Sequence, residues 1–219
     1  ESHTVRWREL IRAWLPQWIT QLQQGHSAEA LTALGRKLFD WGDYHKAESL
    51  LRESLDLWRA ALPSGHPTIA HSLNSLAGVL DANGRHTEAG PLYREALELW
   101  RAALPPGHPT IAIGVNNLAC VLNVAGRYAE AEPLYSEALG LWRAALPPGH
   151  PDIATGLNNL ASVLKATDRY AEAEPLYREA LDLRREALPP GHPDIATSLN
   201  NLALLLDATG RYDEAEPLY

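Results

Sequence analysis

The sequence predicts an all-α solenoid of antiparallel helix hairpins, on three observations. The string Leu-Pro-x-Gly-His-Pro-x-Ile-Ala begins at Leu62, Leu104, Leu146 and Leu188, a constant step of 42 residues. Residues 104–145 and 146–187 are identical at 30 of 42 positions. A chain folded round one central core has no reason to carry such a period, whereas a stack of equivalent units does. Within each period apolar residues recur at helical spacing, and no segment shows strand alternation.

Taken in order, residues 3–24 stand outside the period. Trp7, Ile11, Trp14 and Trp18 fall at i, i+4, i+7 and i+11, an amphipathic stripe that Pro16 interrupts. The stripe reads as a cap over the exposed first hairpin, as solenoid ends require, or as the tail of an upstream domain. The division is therefore 1–24, a capping or linking helical segment, and 25–219, a solenoid of four full repeats and a truncated fifth. First helices are expected at about 28–40, 67–82, 109–124, 151–167 and 193–208, and second helices at about 44–61, 87–103, 129–145 and 171–187. In the unit from Leu104, Ile111, Val115, Leu118, Ala119 and Leu122 trace one helical face. Pro109 suits the first helical turn with His108 near the N-cap, and Gly126 is the left-handed stop. Ala131, Leu134, Tyr135, Ala138, Leu141, Trp142 and Ala145 trace the second face, with Pro133 placed near its first turn. Pro-Pro-Gly 147–149 ends the unit. A fifth second helix begins near Asp213 and is cut at Tyr219, so the natural chain is expected to continue; the absence of Met and the start at Glu1 point the same way.

Composition narrows the function. With 19 Lys plus Arg against 27 Asp plus Glu, the net charge of -8 argues against nucleic acid and against an anionic membrane surface. No run approaches a membrane span. The single cysteine, Cys120, leaves no disulfide framework or cysteine-rich zinc site and fits a reducing, cytoplasmic setting.

Leu160-Ala161 followed by Tyr170, Ala173, Tyr177 and Ala180 resembles the tetratricopeptide repeat. The 42-residue period and Leu-Asn-Asn-Leu-Ala at 157–161 and 199–203 resemble its kinesin-light-chain type, over roughly 28–219. Asp168 departs from the turn glycine, His86 from the tyrosine, and Gly35 and Ser54 mark the first unit as the least regular. The resemblance implies a right-handed superhelical solenoid whose first helices line a concave groove that binds protein or peptide.

His66, His108, His150 and His192 recur once per unit. Zinc needs its ligands within about 2.0–2.3 Å of one ion, whereas repeats stand about 8–10 Å apart, so these are loop and cap residues. Glu130 with Glu132, and Glu172 with Glu174, favour the positive end of the second-helix dipole rather than a catalytic cleft. No nucleophile elbow, phosphate loop or protease motif occurs. Neither catalysis nor a cofactor is expected.

The asparagines carry the site. Asn74, Asn116 with Asn117, Asn158 with Asn159, and Asn200 with Asn201 lie mid-way along first helices, where asparagine is a poor choice. The resemblance implies that Asn117, Asn159 and Asn201 face a bound peptide and bond its backbone, which an amide suits without demanding a side chain. The alternative is that the amides bond between neighbouring repeats. Specificity is expected from variable positions on the same face: His71, Gly78 and Asp81; Ile113, Cys120 and Asn123; Thr155, Ser162 and Lys165; Thr197, Leu204 and Asp207. Lys165 is the only cation among them, so the lysine clamp of chaperone-tail binders is not matched; a mixed polar and apolar extended segment fits better. Trp58, Trp100 and Trp142 recur in second helices, with Arg184 in the fourth, and either pack internally or form an interaction strip.

The expected function is a non-catalytic protein- or peptide-binding scaffold. Its near-identical repeats resemble the sensor arms of NLR-like signalling proteins or of CHAT-type proteases. The alternative is a structural module that weakly self-associates, end to end or through the tryptophans.

Overall fold

The computed structural model describes residues 27–219, and the tryptophan stripe of residues 3–24 lies outside them. In chain order the described elements are α1 (Ala28–Asp40), α2 (Tyr44–Ala61), α3 (Pro67–Ala82), α4 (His86–Ala103), α5 (Pro109–Val124), α6 (Tyr128–Ala145), α7 (Pro151–Ala166), α8 (Tyr170–Ala187), α9 (Pro193–Ala208) and α10 (Tyr212–Ala215), closed by a 3-10 turn, Glu216–Leu218. No strand occurs among the described residues. The second helix of the first hairpin starts at Tyr44 as predicted, the next three start one residue before the predicted positions, and the fifth begins at Tyr212 and runs a single turn.

Each start and stop has a local cause. α3, α5, α7 and α9 open on proline, whose missing N–H costs nothing at the first helical position. The preceding histidine caps each: Nδ1 of His66, His108, His150 and His192 accepts the N–H two residues on, at 3.2 Å. These helices end on a left-handed residue: Gly84, Gly126 and Gly210, and, in the fourth unit, Asp168 at φ 59. The next N–H then closes back on the helix, as Arg169 N to Leu164 O at 2.9 Å. Pro133 sits at the sixth residue of α6 rather than in its first turn, so it removes one backbone bond, and the helix runs on through it.

The chain divides into two compact units, 1–99 and 100–219, the division falling within α4. In the first, α2 packs against α1 and α3, and α1 neighbours α3. Leu31, Leu38, Leu50, Leu51 and Ala47 are buried between them. The irregular Gly35 admits Leu51: a Cβ there would lie 2.8 Å from Leu51 Cγ. Buried Ser54 donates to Ala28 O at 2.7 Å and shares a 2.5 Å bond with Thr32 Oγ1.

In the second unit α6 packs between α5 and α7, and α8 between α7 and α9. The first helices also touch in series, α5 with α7 and α7 with α9. Alanines at the crossings (Ala119, Ala131, Ala138, Ala161, Ala173 and Ala180) are fully buried and let the helices close up. Trp142, Tyr135, Tyr177 and Leu157 fill the remaining space. Each such large side chain contributes about 1.5–3 kcal/mol by leaving water.

Candidate peptide-binding face

Because α5, α7 and α9 lie side by side, residues 42 or 43 apart meet across them. Asn159 Nδ2 donates to Asn116 Oδ1 at 2.9 Å, and Asn201 Nδ2 donates to Asn158 Oδ1 at 3.0 Å. The second asparagine of one repeat thus bonds the first asparagine of the repeat before. Asn116 is 8% exposed, and Asn158, Asn159 and Asn201 are half-buried. Asn200 is exposed, and Asn74 and Asn117 are half-buried on α3 and α5. The inter-repeat alternative therefore describes Nδ2 of Asn159 and of Asn201.

Cys120 Sγ sits between two of these amides, 3.8 Å from Asn116 Nδ2 and 3.9 Å from Asn159 Nδ2. Both donor directions of Asn159 therefore point into the preceding repeat. At the position equivalent to Cys120, Ser162 bonds the Tyr177 hydroxyl; burial pushes that phenol up to about 12, and Ser162 partly offsets the rise. The tyrosine thus runs beneath the face. In the first unit the Tyr93 hydroxyl lies 3.6 Å from where a Gly78 Cβ would stand. The sequence offered a signal for this, since tyrosine recurs at 93, 135, 177 and 219.

Apolar and charged groups flank the amides. Ile113 is 40% exposed and Leu204 42%. Lys165 is half-buried, and desolvation holds its ammonium below the ordinary lysine range. Asp207 accepts the Tyr219 hydroxyl at 2.5 Å. In the first unit Asp81 pairs with His86 Nδ1 at 2.7 Å, which is what the histidine does in place of tyrosine.

The tryptophans offer no strip. Trp100 and Trp142 are 1% and 3% exposed, so neither presents a ring to a partner, and Trp58 is half-buried with Nε1 donating to Thr32 Oγ1 at 3.4 Å. Packing requires a small residue opposite. A Cβ on Gly156 would stand 3.1 Å from two ring carbons of Trp142. Where Arg184 replaces tryptophan, Ser198 replaces that glycine and accepts Arg184 Nη1 at 2.7 Å.

The second glutamate of each acidic pair forms an inter-repeat ion pair that periodicity alone did not reveal, and the first pairs within its own repeat. Arg169 pairs with Glu132 and Glu172, both at 2.7 Å. Arg211 pairs with Glu174 at 2.6 Å and Glu214 at 2.7 Å. A second series joins successive second helices: Arg59 with Glu95, Arg101 with Glu137, and Arg143 with Glu179. Among the described residues no group of three His, Cys, Asp or Glu could hold a metal ion, and no helix is long and apolar enough to cross a membrane.

Family models described as tetratricopeptide repeat match residues 27–68, 68–144, 110–186 and 152–219. None of the curated proteins compared with the chain matches it. Among solved structures it is similar to the Podosopora anserina kinesin light chain protein of nearly identical TPR-like repeats, at 25% identity and TM-score 0.72, covering 90% of this chain and 91% of that one. It is similar to BtubC (BKLC) from P. vanneervenii at 25% identity and TM-score 0.74, covering 96% and 84%. MamA from Desulfovibrio magneticus RS-1 shares the fold, at 16% identity and TM-score 0.60 over 87% and 90%.

Proposed function

The chain belongs to the tetratricopeptide repeat family, and on that premise we propose that it is a non-catalytic scaffold holding an extended peptide across the amide-bearing face of its first helices. Repeats of this family generally serve as protein-interaction scaffolds. The observation that supports this face is the recurrence of Asn159 and Asn201 at equivalent points, each half-buried with its Oδ1 reached by solvent. A peptide presents groups to both without its side chains being read. Ile113, Ser162, Lys165 and Leu204 then supply selectivity by size and polarity. We read the chain as the sensor arm of a larger cytoplasmic signalling protein of the NLR-like or CHAT-type class. Capture of the peptide would be transmitted by a change in the spacing of the hairpins.

The test uses a peptide selected from a random display library by the intact chain. Asn117→Ala, Asn159→Ala and Asn201→Ala together are expected to weaken its binding by roughly tenfold or more in calorimetry, with helical circular dichroism retained. The same variant loses the amide bonds to Asn116 and Asn158, about 1 kcal/mol of stability each. Unchanged affinity would overturn the assignment of this face.

A further inference from the structure

The rungs between repeats do more than join helices, because a side-chain amide has two ends of opposite character. One end donates and the other accepts. Where Asn116 Oδ1 takes Nδ2 of Asn159, and Asn158 Oδ1 takes Nδ2 of Asn201, neither Asn159 nor Asn201 can turn over alone without placing two acceptors in contact. At Asn159 the second donor direction is also committed, toward Cys120 Sγ. Among the described residues nothing donates to Oδ1 of Asn159 or of Asn201, and neither atom is sealed from solvent. The polar atom left outside the rung is therefore an acceptor at both positions. A hydrogen-bond chain of this kind also polarises its members, so the committed Nδ2 sharpens the acceptor at the other end.

We propose that Asn116 and Asn158 are positioning residues: by accepting Nδ2 of Asn159 and Asn201 they turn each Oδ1 outward, so this face selects an extended chain that donates backbone N–H at two points. This rests on the peptide-binding reading above and adds the polarity and spacing of what is bound. First helices in contact stand about 8–10 Å apart, and a chain extended in the polyproline II conformation advances about 3.1 Å per residue with three residues per turn, so that N–H groups three apart face the same way. The two N–H groups consequently belong to residues about three apart. A ligand with proline or an N-methylated residue at either point has no donor there and is rejected, whatever its side chains.

The experiment takes the display-selected peptide and a series of its single backbone N-methyl derivatives, measured by calorimetry against the intact chain. Methylation at two sites about three residues apart is expected to weaken binding roughly tenfold each, and elsewhere to have little effect. In Asn158→Leu, where Asn201 is released to rotate, the penalty at one of those two sites is expected to vanish; Asn158→Asp, which keeps the acceptor, restores it. A purely structural role for Asn158 would lower stability without erasing one position of the methylation pattern. If no methylation site matters while Asn159→Ala and Asn201→Ala still weaken binding, the orientation proposal fails and the binding face stands. If those alanine variants bind as tightly as the parent chain, the face itself is wrong.

Discussion

Tyr177 shows how one buried side chain leaves a measurable trace. Its phenol lies beneath the amide face, bonded to Ser162, and burial pushes it up to about 12 from an ordinary value near 10. Because the neutral form is favoured in the folded chain, its contribution is complete below about pH 10 and is lost as pH rises toward about 12. The denaturant midpoint of the native chain is expected to fall across that window, and Tyr177→Phe to flatten the fall; the chemical unfolding series over pH decides it. Asp168 supplies a second residue-scale prediction. An L-residue at φ 59 costs energy that Asp tolerates better than most, and here its carboxylate accepts the Tyr170 hydroxyl at 2.7 Å. Asp168→Ala keeps the unfavourable backbone without that bond and is expected to lower stability by about 1 kcal/mol. Asp168→Gly is expected to match or exceed the parent, both read from thermal melts.

At the scale of elements, the four histidine caps share one geometry, so one variant speaks for all. His192→Ala is expected to destabilise by about 1 kcal/mol and His192→Asn to hold the parent's melting temperature, since asparagine also accepts the orphan N–H. The crossing of α6 and α7 offers a sharper test. Gly156→Ser forces a Cβ against the Trp142 ring and is expected to cost about 1–3 kcal/mol. Combining it with Trp142→Arg recreates the pair the fourth hairpin already uses, Arg184 with Ser198. The double variant is therefore expected to be more stable than the sum of the singles, read as coupling in a double-mutant cycle. These elements were largely legible in the sequence. His-Pro starts, glycine stops and the period set the helix bounds to within a residue, because such signals act locally. Partnership of the amides across repeats was one of the two readings, but which atoms it joins escaped. Asn159 alone gives no hint that its Nδ2 is committed to Asn116, and nothing in Trp142 alone says that Gly156 opposite makes room for it. Such facts depend on which equivalent positions face each other, and a one-dimensional pattern does not contain that.

At the scale of the whole chain, packing between neighbouring hairpins has thermodynamic consequences. In each unit the packed neighbours are adjacent hairpins, so stability is a sum of hairpin and nearest-neighbour terms. Excising residues 104–145, one full period, is expected to leave a chain with the parent's helicity per residue that melts cooperatively at a lower temperature. Excising half of that segment is expected to abolish cooperative melting. Calorimetric scans of the two deletions distinguish them. The outer ion pairs give a whole-chain pH dependence. Bonding to Arg211, then to Arg178, holds the Glu174 carboxyl below its ordinary value against the opposing effect of burial. Its contribution is thus present above about 4.5 and lost as pH falls below that. Glu174→Gln is expected to make acid unfolding shallower.

The interval arithmetic of the bonds has an evolutionary edge. Arg143 reaches 36 residues forward, Arg169 reaches 37 back, and Asn159 reaches 43 back, each landing in the adjoining copy. Duplication or loss of a 42-residue block during DNA replication hands most such reaches an equivalent recipient, Gly90 in place of Glu132 and Glu174 being an exception, so length is free to drift among descendants. Slippage by any other count severs all three kinds of tie at the scar. A gene built this way can be edited in whole tiles without breaking the ties between neighbouring tiles.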